Sequence, residues 1–101
     1  PVETLDPLQG IYAAVARKRA DEPESEAWYP EQCISVEEAV RAYTRGAAYA
    51  CGQERVAGSI ATNKLADLVV LSADIFSGPA EGVLETQVDY TIAGGEIVYH
   101  R

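Results

Sequence analysis

Side chains able to do acid–base, nucleophilic or metal chemistry are few and scattered in this 101-residue chain. It has one histidine, His100, next to the last residue, and two cysteines, Cys33 and Cys51, too far apart for a Cys-x-x-Cys pair. A structural zinc site takes four nitrogen, sulfur or oxygen ligands and a catalytic one three protein ligands. These residues do not supply such a set, so no residue of this chain is assigned as catalytic or as a metal ligand. No phosphate-binding loop and no nucleophile elbow occurs either. The cysteines fit reduced, small, partly buried thiols of a cytoplasmic protein better than a disulfide.

The remaining polar candidates each have a structural reading beside a chemical one. Asp6 precedes Pro7, the usual pairing of a helix cap with proline at the first helical position. Arg17, with Lys18 and Arg19, falls where a helix dipole favours positive charge, though it could also reach an anionic group. Asp67 reads as a turn cap, because acid–base work needs a second titratable group close by. The carboxylates at 21, 22, 24 and 26 read as a solvated loop. Trp28-Tyr29 is either a hydrophobic latch on that loop or part of a binding surface.

The elements that position these residues follow from periodicity. Leu8, Ile11, Tyr12 and Val15 recur at helical spacing, giving a helix from Asp6-Pro7 to about Arg19. The run from Ala20 to Cys33 has breakers and charge but no period, so it is a loop. Ser35 and Glu38 form a capping box, and Val36, Ala39, Val40, Tyr43, Ala47, Ala50 and Cys51 carry a second helix to about Gly52. Ala66–Leu71 is a short apolar run typical of a strand covered on both faces, preceded by a turn at Ala61–Lys64 in which Asn63 tolerates positive φ. Ser77-Gly78-Pro79 breaks the chain before a helical turn at Ala80–Leu84. Val88, Tyr90 and Ile92 alternate with polar residues, and Gly94-Gly95 turns the chain into a hairpin closed by Glu96–Tyr99. His100 reads as a frayed end. The fold class is an α+β fragment: two main helices, then about three strands including a C-terminal hairpin.

Composition bounds the function. Hydrophobic residues make up 48% of the chain, enough for one small core. Sixteen acidic residues against eight basic ones give a net charge of -8, which repels a phosphate backbone and argues against nucleic acid. No stretch approaches the roughly 18 apolar residues of a membrane span, so no membrane partner is expected. Pro1-Val2-Glu3 is neither an initiator methionine nor a signal, and the chain reads as truncated. The helix stripes and strand edges call for cover, so a homo-oligomer is expected.

The segment Gly58-Ser59-Ile60-Ala61-Thr62-Asn63-Lys64-Leu65-Ala66-Asp67-Leu68-Val69-Val70-Leu71 resembles the pattern Gly-Ser-Ile-x-x-Gly-Lys-x-Ala-Asp-Leu-Val-Val-Leu of the amidohydrolase superfamily, with Asn63 for the usual glycine. Thr91–Tyr99 resembles the family's closing Thr-x-x-x-Gly-x-x-Val-Tyr. Asp6–Arg17 and Ser35–Thr44 are similar to the branch that includes N-substituted formamide deformylases. The resemblance implies a (β/α)₈ barrel with one or two divalent metals, zinc first among them, and a small β-sandwich. Residues 1–56 would then end the barrel domain and 57–101 would be part of the sandwich. It also implies hydrolysis of non-peptide C–N bonds in a small amide-type substrate by water on a metal, which needs three or more fixed ligands.

In this branch a Ser-Asp-x-Pro-Val motif carries the metal-binding general base. Pro1-Val2 match its last two residues, which leaves the base and the family's histidine ligands upstream. The segment alone is therefore expected to be inactive, with a non-catalytic, self-associating module as the alternative. Barrel sites lie at the C-terminal face of the strands, which makes Glu3, Asp6 and Arg17 the candidates for the substrate-pocket rim.

Overall fold

Asp6 starts the first helix as its chemistry dictates. In the computed structural model, which describes residues 2–101, its Oδ1 accepts the Leu8 N–H at 3.0 Å and Pro7 occupies the first helical position of α1 (Pro7–Ala16). The helix stops three residues short of the expected Arg19. Arg17 takes a left-handed conformation at φ 55° and its N–H returns to the Ala13 carbonyl, which ends the helical ladder. A non-glycine residue at positive φ is uncommon, and its setting is described below.

The capping box is present in both directions. Ser35 N–H donates to Glu38 Oε2 at 2.8 Å and Glu38 N–H donates to Ser35 Oγ at 3.1 Å, opening α2 (Val36–Arg41). Helical residues continue through a π segment (Ala42–Gly46) and α3 (Ala47–Ala50), and Gly52 turns away at φ 70°. The π segment is not visible in the hydrophobic period. α4 (Glu81–Glu85) follows Ala80, one residue later than the sequence suggests at either end.

Three strands form an antiparallel sheet in the order β1 (Leu68–Leu71), β2 (Val88–Ala93), β3 (Glu96–His100). Gly94 and Gly95 make the two-residue turn with φ 57° and 84°, and two consecutive positive φ values are what a type I′ hairpin demands. The alternation expected along β2 is broken. The pairing slips between Val70 and Leu71 on one side and between Thr91 and Ile92 on the other, so Tyr90 is exposed and Thr91 half-buried. Bulges of this kind re-aim side chains. His100 is not frayed: it pairs with Tyr90, and Arg101 holds the end by bonding Asp89 Oδ1 at 2.8 Å and Gln87 Oε1 at 2.7 Å.

The chain divides into two compact units. One takes in the described residues through Val40 together with Ile75–Thr86, and the other is Arg41–Asp74 with Gln87–Arg101. In the first unit α1 packs on α4, and Ile11, Tyr12, Ala39, Ile75 and Val83 are its buried apolar side chains. Thr86, also buried, donates its hydroxyl proton to the Gly82 carbonyl at 2.8 Å. Tyr12 is fully buried, yet its hydroxyl has no hydrogen-bond partner among the described residues. Burial first, then the Glu81 and Glu24 carboxylates, raises its pKa above the ordinary phenol value.

In the second unit the loop after α3 folds back on the helix. Gly58, at φ 89°, lies so close that a Cβ there would stand 2.7 Å from Ala48 Cβ and 3.1 Å from the Thr44 carbonyl oxygen. Ala48 is the one buried apolar residue of this unit among the described residues. The sheet, by contrast, is largely bare: Val69, Val70, Ile97, Val98 and Tyr99 are all exposed. β1 has the composition of a doubly covered strand but not the cover.

Tyr12, Gly58 and Gly82 each yield a stability prediction. Tyr12→Phe removes an unsatisfied buried hydroxyl, so urea unfolding should show it stabilised by about 1 kcal/mol rather than weakened. The unfolded phenol ionises near 10 and the folded one at higher pH, so wild-type stability falls as pH rises through that window and the Tyr12→Phe advantage should widen there. Gly58→Ala forces both positive φ and a backbone clash and should cost about 3 kcal/mol. Gly82→Ala, inside α4 with nothing near its Cβ position, should gain about 0.5–1 kcal/mol.

Candidate functional site

The three residues assigned to a pocket rim are placed by α1 and the strand of chain before it. Glu3 lies in an exposed bend. Asp6 spends both carboxylate oxygens locally, Oδ1 on the Leu8 N–H and Oδ2 on Gln9 Nε2 at 3.4 Å, while its own N–H donates to Thr4 Oγ1 at 3.2 Å. It also borders a small cavity of about 250 Å³ with Leu8, Ala20, Leu84 and Thr86. Arg17 stands at the other end of a ten-residue helix, about 15 Å of helical rise away. Asp6 and Arg17 therefore do not converge on one point in this chain.

Arg17 instead closes a loop. Its carbonyl accepts the Trp28 N–H at 2.8 Å, its Nε donates to the Trp28 carbonyl at 3.0 Å, and its guanidinium lies 5.4 Å from the indole centroid. The left-handed backbone at Arg17 turns carbonyl and side chain toward the same residue. Lys18 Nζ donates to the Pro23 carbonyl at 3.2 Å, and Arg19 pairs with Asp21 at 2.9 Å. That exposed pair raises the Arg19 pKa and lowers that of Asp21, chiefly through their hydrogen bond. The basic run thus holds the acidic loop to the helix end.

Trp28 latches the loop through its two backbone bonds to Arg17 and the guanidinium over its ring, not by burying the indole. The residue is 70% exposed and its ring meets Tyr29 edge to face at 4.9 Å between centroids, with Tyr29 itself held at φ 51°. The two aromatic rings stay in solvent beside a cavity of about 460 Å³ lined by Arg17, Lys18, Glu22 and Glu26. No acid–base pair forms there.

The motif segment from Gly58 to Leu71 has structural duties that the sequence did not assign. Lys64 Nζ donates to the Glu54 carbonyl at 2.7 Å, to Ser59 Oγ at 2.8 Å and to the Ala57 carbonyl at 3.3 Å. An ammonium has three protons, and all three are used to clamp the loop. Asn63 takes φ 67°, as its place in the turn requires. Asp67 does not cap the preceding turn: its Oδ1 accepts the Gly94 N–H at 2.8 Å, while the Ala66 carbonyl accepts the Gly95 N–H at 3.0 Å. These bonds tie the start of β1 to the hairpin turn, and explain why the strand begins at Leu68 rather than Ala66.

Among the described residues no group of three or more histidine, cysteine or acidic side chains could hold a metal ion. Both cysteines are free and exposed, which corrects their expected partial burial. The residues present do not fit the metal centre that the resemblance implies. No helix among the described residues is long and apolar enough to cross a membrane.

Comparison with known proteins gives these placements their setting. The chain is 36% identical over 101 residues to the Bacillus subtilis protein YtcJ, named as an amidohydrolase, and 33% identical over 101 residues to the N-substituted formamide deformylase of Arthrobacter pascens. It is 35% identical over 99 residues to the Arabidopsis thaliana protein LONG AFTER FAR-RED 3. These matches take in all or 98% of this chain but only 19%, 18% and 16% of the relatives' own lengths. A crystal structure of an amidohydrolase from Thermotoga maritima superposes on 70% of the chain and 17% of its own, with a TM-score of 0.59 and 28% identity. The family described as the amidohydrolase family matches residues 1–99, so the chain belongs to that family.

Proposed function

We propose that this chain serves as the C-terminal portion of a metal-dependent amidohydrolase that hydrolyses non-peptide C–N bonds in a small amide-type substrate. The observation that carries this reading is the family match over residues 1–99 in a chain that spans less than a fifth of its curated relatives. The likeness to an N-substituted formamide deformylase supports the choice of bond. In this reading residues 1–56 end the barrel and 57–101 belong to the β-sandwich. The bare sheet, with Val69, Val70, Ile97, Val98 and Tyr99 exposed, supports it, because contiguous apolar faces call for cover. The metal, zinc in the first instance, is held by residues outside this chain. Free cysteines agree with a cytoplasmic setting.

Within the longer protein Glu3, Asp6 and Arg17 are proposed to border the substrate pocket. Asp6→Asn separates the two readings of that residue, since asparagine caps a helix about as well as aspartate. If Asp6 contacts substrate, KM should rise several-fold with thermal stability unchanged. An unchanged KM would leave Asp6 as a cap alone.

Metal analysis and a screen of N-substituted formamides and simple amides, run on the longer protein beside this chain, test the main reading. Metal and hydrolysis are expected in the longer protein, and neither in the chain. Stoichiometric metal or amide hydrolysis in the chain by itself would overturn the proposal, as would a longer protein inert toward every C–N substrate. Alone, the chain should self-associate through its uncovered faces, and a monomer in sedimentation at micromolar concentration would contradict that.

A further inference from the structure

Acidic residues outnumber basic ones two to one in this chain, so a cavity with a cationic wall needs a reason. One occurs in the second unit, a space of about 530 Å³ bordered by Arg41, Arg45, Gly46, Tyr49, Glu54 and Lys64. Three basic residues and one acidic residue line it. Among the described residues neither the Arg41 nor the Arg45 side chain has an ion pair or hydrogen bond, and of the other arginines Arg55 also has none while Arg17, Arg19 and Arg101 are engaged. Two unpaired guanidiniums one helical turn apart repel each other, and no carboxylate of this acid-rich chain has been drawn onto them.

The wall is built from an unusual backbone. Arg45 and Gly46 belong to the π segment, Ala42–Gly46, and π turns are rare and frequent at functional sites. Gly46 adds no side chain to the space. Lys64 is fixed at the border by the three bonds to the Glu54 carbonyl, the Ala57 carbonyl and Ser59. With its donors spent, it supplies positive charge at a set place and no hydrogen bond. The free donors are the two guanidinium forks and the Tyr49 hydroxyl.

We propose that this cavity binds the phosphate group of a small anionic molecule. Guanidinium forks match phosphate oxygens bidentately, and three cations against one carboxylate leave enough uncompensated charge for a dianion. A monocarboxylate would satisfy only part of it. The site shares no residue with the proposed pocket rim and does not depend on the C–N hydrolase reading.

The test titrates the isotope-labelled full chain with inorganic phosphate at about pH 8, where the dianion prevails, with ionic strength held constant by chloride. Saturable shifts of the Arg41 and Arg45 Nε–H resonances are expected, and Arg41→Gln with Arg45→Gln should weaken binding at least about tenfold. Arg55→Gln, a charge change off the wall, should leave it unaltered. Glu54→Gln removes the opposing carboxylate without touching the carbonyl that holds Lys64, and should tighten binding several-fold. Acetate should bind at least about tenfold more weakly than phosphate. Absence of a saturable shift, equal binding of acetate, an effect of Arg55→Gln matching that of the double variant, or no tightening in Glu54→Gln would each overturn the proposal.

Discussion

Hydrophobic burial stabilises a fold only where an apolar face finds its cover, and this chain finds cover for Ile11, Tyr12 and Val83 but not for Ile97, Val98 or Tyr99. That imbalance sets the role of every polar contact. Where burial is scarce, the geometry rests on directed bonds: the Lys64 clamp on the loop from 54 to 59, the Asp67 carboxylate on the Gly94 N–H, and Arg101 on Asp89 and Gln87. Each such bond contributes only about 0.5–3 kcal/mol. They fix register and direction, and leave the stabilising area to be completed by other surface.

The motif by which the family resemblance is read is thus a folding device. Gly58 admits the loop to the face of the helix, Lys64 gathers its carbonyls, Asn63 makes the turn, and Asp67 fastens the strand to the hairpin. A pattern of Gly, Asn, Lys and Asp at these spacings is the record of one compact turn and its ties. This gives the sequence signature a structural basis in one turn and its ties.

Much of the fold was legible in the sequence because its signals are local. Asp6-Pro7, the Ser35–Glu38 box and Gly94-Gly95 act within three or four residues, and all three elements start or turn where those residues require. The misses are non-local. α1 ends at Ala16 because Arg17 turns to meet Trp28, eleven residues on. The slips in the sheet and the pairing of His100 depend on partner strands. The cationic cavity could not be read from sequence, since Arg41, Arg45 and Lys64 are brought together by a π turn and a loop clamp that leave no periodic trace.

In the proposed function the uncovered apolar surface of this chain docks on the rest of a longer amidohydrolase. Hydrogen exchange of β1 and β3 amides, measured in the chain alone and in the longer protein, tests it most directly. Fast exchange is expected in the isolated chain and strong protection in the longer protein, concentrated at Val69, Ile97 and Val98. Equal protection in both would contradict it.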